Sequence, residues 1–364
     1  MKNWNLRLGR VFGIPIEIHW TFWAFLFYIF WADLFKTGQA TLALEGVFSV
    51  LAIFCCVVLH ELGHALMAMR FGIKTRDITL YLFGGVARLE RIPERPREEL
   101  LVAFAGPLVN LVIIVVLLFL GVRLPDSLDE LASVVKFDLL SQLLLVNTSL
   151  LFFNLLPAFP MDGGRIFRSI LAMFMDYAHA TRIAASLGQF MAIVFGILGL
   201  SGNPFLVFIA LFVWLGASGE ANAVEQKVLL GKSTAREAMI HDYISVRDDE
   251  TLESVVKKLL AGSQTEFPVH QALTGKPIGL LTKTQLLASL AQDGPTSTVK
   301  NCKLQNLQQV PERRGLVSIL HEMREQGLAA VEVIDETGKV TGLLTSDNLS
   351  EFLLVRSALK AHLG

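Results

Sequence analysis

At 364 residues the chain is long enough for two or three domains, but 53% hydrophobic residues, 25 phenylalanines and only 18% charged residues do not suit an ordinary soluble protein. A formal net charge of −1 removes the broad positive field that nucleic-acid binding relies on, so no nucleic-acid partner is expected. The three cysteines, Cys55 and Cys56 in one apolar run and Cys302 far away, make neither a disulfide framework nor a thiolate zinc site, and the pair reads as small packing residues.

In chain order, Lys2, Arg7 and Arg10 precede an apolar stretch that contains Glu17 and His19, runs on to Phe35 and lacks a small-residue cleavage site. It reads as a first membrane span, Ile18–Phe35, rather than a removable signal peptide. Five further stretches approach the roughly 20 helical residues that a bilayer core requires: Val47–Met69, Leu100–Leu120, Leu139–Leu156, Ile183–Leu200 and Phe205–Ala221. The second carries His60-Glu61-Leu62-Gly63-His64. Histidines four apart share one helix face, so both imidazoles can reach one metal ion, with the glutamate beside them placed to take a proton from water. Ionisable groups are costly at that depth, which favours function over accident.

Between the second and third spans, Ile78–Phe83, Gly84-Gly85 and Val86–Glu90 read as two short strands around a glycine turn. Such a hairpin is either a plain surface feature or one that dips toward the metal and offers its open edge to an extended substrate. In the third span, Asn110 of Gly106-Pro107-Leu108-Val109-Asn110 reads chiefly as an interhelical hydrogen-bonding amide, with Gly106 permitting close packing.

Two histidines leave a catalytic zinc one protein ligand short. The fourth span ends in Asn154-Leu-Leu-Pro157-Ala-Phe-Pro160-Met-Asp162-Gly163-Gly164-Arg165, where two prolines must break the helix and two glycines free the backbone. Asp162 is therefore the expected third ligand, with Glu17 and His19 as weaker competitors and a simple loop aspartate as the plain alternative. Asn154 is a candidate donor to the oxyanion that forms as a peptide bond is attacked.

Basic residues set orientation. Arg70, Lys74, Arg76, Arg88, Arg91, Arg95 and Arg97 cluster after the second span, and Arg165, Arg168 and Arg182 after the fourth. The opposite side holds Lys36, then Arg123 and Lys136 among Asp126, Asp129, Glu130 and Asp138. The N-terminus and everything beyond Ala221 are expected in the cytoplasm of a multi-pass cell-membrane protein.

After Ala221 long apolar runs stop and the chain repeats. Phe267–Thr282 is echoed at an offset of 63 residues by Ala330–Thr345, each copy flanked by amphipathic helices. Domains are expected at 1–225, 226–291 and 292–364.

Taken together, His60-Glu61-Leu62-Gly63-His64, Gly106-Pro-Leu-Val-Asn110, Asn154-Leu-Leu-Pro-Ala-Phe-Pro-Met-Asp162-Gly163, Gly84-Gly85 and the opening Gly13–Trp20 resemble the site-2 protease family of intramembrane zinc metalloproteases, over about residues 1–225. The resemblance implies one catalytic Zn2+ on His60, His64 and Asp162, Glu61 as base, Asn154 near the oxyanion, and single-pass transmembrane proteins as substrates within the lipid bilayer. The C-terminal repeat resembles a CBS-domain pair, which implies an α/β fold, an adenine nucleotide (ATP, ADP or AMP) in the cleft and a homodimer. The nucleotide pattern Gly-apolar-apolar-Thr-x-x-Asp falls on Thr345 and Asn348 in the second copy; the first has Thr282 but Gln285 in place of the acid. The fold expected is thus a polytopic α-helical membrane protein of about six spans, with a small β-hairpin near the active site and a cytoplasmic CBS pair. Two other readings are a catalytically silent client-binding homologue and a CBS-gated transporter. No internal repeat in the membrane half supports the transporter.

Overall fold

His60 and His64 lie on the longest helix of the chain, and the N-terminal unit is assembled against it. The computed structural model describes residues 5–363 except 83, 92, 94, 124–138 and 232, and only the backbone of 360–363. Two units emerge, Met1–Val224 and Glu225–Gly364. Phe83 and the expected loop charges Asp126, Asp129, Glu130, Lys136 and Asp138 lie outside the described residues.

The first unit opens with strands β1 (Asn5–Val11) and β2 (Ile14–His19), joined through Phe12 and Gly13 at φ of 51° and 81°. Both positive angles are those of the tight turns that match strand twist. β2 runs parallel to β3 (Thr75–Tyr81), which pairs antiparallel with β4 (Gly84–Leu89), giving a four-stranded sheet in the order β1-β2-β3-β4. The alternation Ile14, Ile16, Ile18 buries one face of β2, and Ile14 and Ile78 pack on Leu62 and Ala65 of the long helix. Two expectations shift. Ile18 and His19 belong to β2, so the first helix begins only at Trp20. The register pairs Tyr81 with Gly84 and Leu80 with Gly85, so both glycines lie inside β4 rather than at the turn.

The helices that follow are α1 (Trp20–Thr37), α2 (Ala40–Arg70), α3 (Pro96–Phe119), α4 (Leu139–Leu155), α5 (Asp162–Ala172), α6 (Tyr177–Leu200) and α7 (Pro204–Leu230). Among the described residues, α2, α3, α6 and α7 are long and apolar enough to cross a membrane, and α4 is a shorter apolar helix. Four to five such helices therefore stand where six spans were expected. α1 has 18 residues, but Asp33, Lys36 and three tryptophans dilute its apolar character. The amphipathic α5 was not anticipated as a separate helix.

In the second unit each repeat is a strand, a helix, a hairpin and a helix. The first has β5 (Val246–Arg247), α9 (Leu252–Ala261), β6 (Glu266–His270), β7 (Pro277–Thr282) and α10 (Lys283–Asp293). The second has β8 (Gln308–Pro311), α11 (Leu316–Gln326), β9 (Ala330–Ile334), β10 (Val340–Thr345) and α12 (Ser346–Leu363). The segment ahead of each repeat packs on the other copy. Helix α8 (Ala235–Ala238) and Met239 join the core of Val331, Val333 and Leu344, whereas Val299 joins that of Val246, Leu252 and Phe267. Gly342 and Gly279, 63 residues apart, are where these segments cross. A Cβ on Gly342 would lie 2.7 Å from Met239 Sδ, and one on Gly279 2.7 Å from Leu304 Cβ.

Candidate metal centre

Helical spacing on α2 puts His60 and His64 on one face, both buried. Gly63 lets α3 approach, since a Cβ there would stand 2.7 Å from the Ala105 carbonyl oxygen. Gly106 then lies directly against the imidazoles: its Cβ would be 2.2 Å from His64 Nε2 and 2.7 Å from His60 Nε2. Asp162 arrives from the opposite direction. α4 stops before Pro157, and residues 155–158 fold back onto the start of α5. A Cβ on Gly163 would sit 2.3 Å from the Leu156 carbonyl oxygen, and one on Gly164 2.6 Å from the Ala158 carbonyl carbon. Only glycine fits that fold-back, and it delivers Asp162 as the first residue of α5.

The three ligand atoms form a nearly equilateral triangle. His60 Nε2 to His64 Nε2 is 3.1 Å, His60 Nε2 to Asp162 Oδ2 is 3.2 Å and His64 Nε2 to Asp162 Oδ2 is 3.1 Å. Ligand bonds of about 2.0–2.1 Å in tetrahedral array require edges of about 3.3 Å, so the residues fit zinc with a fourth position open. Among the described residues this is the one cluster of three or more such donors. Both remote ring nitrogens are engaged, as metal-binding histidines require: His64 Nδ1 meets the Val102 carbonyl oxygen at 2.7 Å, and His60 Nδ1 meets Asn110 Oδ1. Asn110 Nδ2 in turn donates to Asn147 Oδ1 at 2.9 Å. Asn110 is thus tied to the histidine itself, beyond the helix-packing role expected of it.

Glu61 is half-buried beside the cluster, and its Oε2 accepts the Ala87 N–H of β4 at 3.1 Å. A Cβ on Gly85 would lie 3.1 Å from Glu61 Cγ, so the strand passes close to that side chain. Asn154 lies seven residues after Asn147 on the same face of α4, with no hydrogen bond to another described side chain. Glu17 and His19 are engaged elsewhere: Glu17 accepts from Asn5 Nδ2 (2.9 Å) and Arg7 Nε (2.8 Å), and His19 Nδ1 lies 2.9 Å from Thr21 Oγ1.

A second polar cluster fixes α5. Arg168, fully buried, donates from Nε (3.0 Å) and Nη2 to Glu99 Oε1 of α3 and from Nη1 to Glu220 Oε2 of α7 (2.9 Å), while Tyr177 of α6 also donates to Glu99 (3.3 Å). Its guanidinium lies over the rings of Phe159 and Tyr177. Sequence reasoning used Arg168 only to orient the chain and passed over Asn147, Glu99 and Glu220. A buried amide two turns before Asn154 in an apolar helix was the available signal.

In the second unit Thr282 and Thr345 occupy equivalent strand-to-helix junctions. Thr282 forms a capping box with Gln285, and Thr345 Oγ1 accepts the Asn348 N–H at 3.0 Å. Asn348 Oδ1 is buried without a hydrogen-bond partner.

A sequence model of Peptidase family M50 matches residues 48–136 and 122–198, and a CBS-domain model matches 235–292. The chain belongs to the site-2 protease (M50) family of zinc metalloproteases, intramembrane proteases with several membrane spans, and it carries C-terminal CBS domains. Zinc metalloprotease MJ0392 of Methanocaldococcus jannaschii is 36% identical over 290 residues, 77% of this chain and 78% of that protein. The protein sll0528 of a Synechocystis species is 28% identical over 382 residues, 98% of this chain and 97% of its own. The solved structure of a site-2 protease from M. jannaschii is 39% identical and covers 60% of this chain and 95% of its own, at a TM-score of 0.43.

Proposed function

We propose that the protein hydrolyses peptide bonds within or beside the transmembrane segments of single-pass membrane proteins, with zinc on His60, His64 and Asp162 and with Glu61 as general base. The observation that carries this reading is the triangle of ligand atoms with Glu61 adjoining it on α2. When bound, zinc polarises a carbonyl and lowers the pKa of water toward about 7. Glu61 takes the proton of the attacking water at its carboxylate and gives it to the departing amine. The Ala87 N–H holds that carboxylate against β4. Asn154 stands as donor to the developing oxyanion. β4 is the outer strand of its sheet, and an extended substrate pairing there would have its scissile bond unwound beside Glu61.

The distribution of arginines supports a cytoplasmic N-terminus and a cytoplasmic CBS pair. The strand-to-helix junctions at Thr282, Thr345 and Asn348 are the proposed contacts for an adenine nucleotide that modulates cleavage, and the pair is the proposed homodimer contact. The orphaned Asn348 Oδ1 supports a polar ligand at the second junction.

The test is cleavage of a single-pass membrane substrate by purified protein, wild type against Glu61→Gln, each with and without ATP, with zinc content measured in parallel. The wild type should cut, and the variant should keep one zinc per chain and lose cleavage. An ATP-dependent rate would establish the nucleotide role. Zinc without cleavage in the wild type, across substrates, would instead favour a client-binding role.

A further inference from the structure

The two metal-facing histidines hold their second nitrogens differently. His64 Nδ1 meets a backbone carbonyl, which only accepts, so that nitrogen carries the proton. His60 Nδ1 meets the Asn110 amide, which can offer either its oxygen or its amino group. What decides between them lies two residues further along. Asn110 Nδ2 donates to Asn147 Oδ1 at 2.9 Å, and Asn147 Nδ2 donates to the Leu143 carbonyl at 2.8 Å. That last carbonyl can only accept, so the polarity of the whole chain is set from its far end. Asn147 must turn its amino group to Leu143 and its oxygen to Asn110. Asn110 must turn its amino group to Asn147 and its oxygen to His60. His60 then carries its proton on Nδ1 and leaves the Nε2 lone pair facing His64 and Asp162. Asn110 and Asn147 are both 0% exposed, so water cannot take over either contact.

We propose that Asn147 is a positioning residue that acts through Asn110 to fix the tautomer of His60, and so sets the affinity of the site for zinc. It touches neither the metal ligands nor the reacting atoms. This rests on reading the cluster as a zinc site. Without Asn147 the Asn110 amide is free to reverse and present its amino group to Nδ1, which stabilises the tautomer with the proton on the ligating nitrogen. Groups that orient a metal-binding histidine are worth about 10- to 100-fold in metal affinity.

The experiment measures zinc affinity of the full-length protein in detergent, by competition with a metallochromic chelator. Asn147→Leu should weaken binding by about 10- to 100-fold, whereas in an Asn110→Ala background it should add less than about twofold. Asn147→Asp offers an oxygen to Asn110 in either protonation state and should stay within about threefold of wild type. Asn147→Leu binding like wild type, effects that multiply with Asn110→Ala, or Asn147→Asp as weak as Asn147→Leu would each overturn the proposal. A residue that merely packed two helices would give the multiplicative result. Nitrogen-15 NMR of the histidines in zinc-free wild type needs no variant: His60 Nδ1 should carry a proton whatever the state of Nε2, and an Nδ1 without one overturns the proposal. A wild type that binds no zinc would defeat the zinc reading, and the tautomer measurement would still test the relay.

Discussion

Gly106 leaves no space between α3 and the two imidazoles. A methyl group there would come within 2.2 Å of His64 Nε2, and the rings cannot retreat because both Nδ1 atoms are anchored. Gly106→Ala should therefore lower zinc affinity by at least about tenfold while circular dichroism reports unchanged helix content. The three residues of the candidate metal cluster stood out in sequence because each breaks a local expectation: histidines in an apolar run, and an aspartate after two prolines. The residues behind them were not. Asn147 looks like any polar residue in a span until the fold sets it beside Asn110, and Asn110 read as packing because its partner, His60, is 50 residues away.

At the scale of single elements, β1 and α5 are each held by charge. Glu17 accepts hydrogen bonds from the Asn5 amide and then the Arg7 guanidinium, and together they hold its carboxyl below the ordinary 4.5 against the opposing pull of burial. A depressed carboxylate pKa stabilises the fold above the ordinary value and loses that contribution as pH falls through the depressed one. Hydrogen-exchange protection of β1 should accordingly hold at neutral pH and fall away below about 4.5. Glu17→Gln should show reduced protection already at pH 7, with no further loss on acidification. Arg168 is the larger case. Arg168→Met would strand the buried Glu99 without its cation and leave the half-buried Glu220 only Arg165 at 3.9 Å, a loss of about 3–5 kcal/mol, readable as a drop in denaturation midpoint. Arg168→Lys should recover little of it, since an ammonium cannot span both carboxylates with the fixed geometry of a guanidinium. Strand β2 was legible in the alternation of Ile14, Ile16 and Ile18, but three apolar residues leading into a long apolar run also read as the start of a helix. The break between α4 and α5 was plain from Pro157 and Pro160. That α5 is tied to α3 through Arg168 and Glu99, 69 residues apart, sequence alone did not disclose.

For the molecule as a whole, the division into a membrane part and a repeated α/β part is marked by composition, and the repeat by its constant offset. The crossing of segments between repeats is marked by nothing local, because a strand, a helix and a hairpin look self-sufficient in sequence. It does depend on two glycines. Gly342→Val would drive a side chain into Met239 and the Ile240 carbonyl oxygen, which as backbone cannot yield. Overpacking of that kind costs about 1–3 kcal/mol. Faster hydrogen exchange should appear first at 234–240, with the first repeat's core unaffected.

That crossing also sets an order of events on the ribosome. Helix α8 leaves the exit tunnel first among the elements of its unit, yet its resting place on Val331, Val333 and Leu344 is not synthesised until about a hundred residues later. The first repeat likewise cannot close until Val299 has emerged. Neither copy can mature alone in the order it is made, so the nascent chain must keep Ala235, Ala238 and Met239 waiting, apolar and uncovered, until the hairpin of the second repeat has emerged.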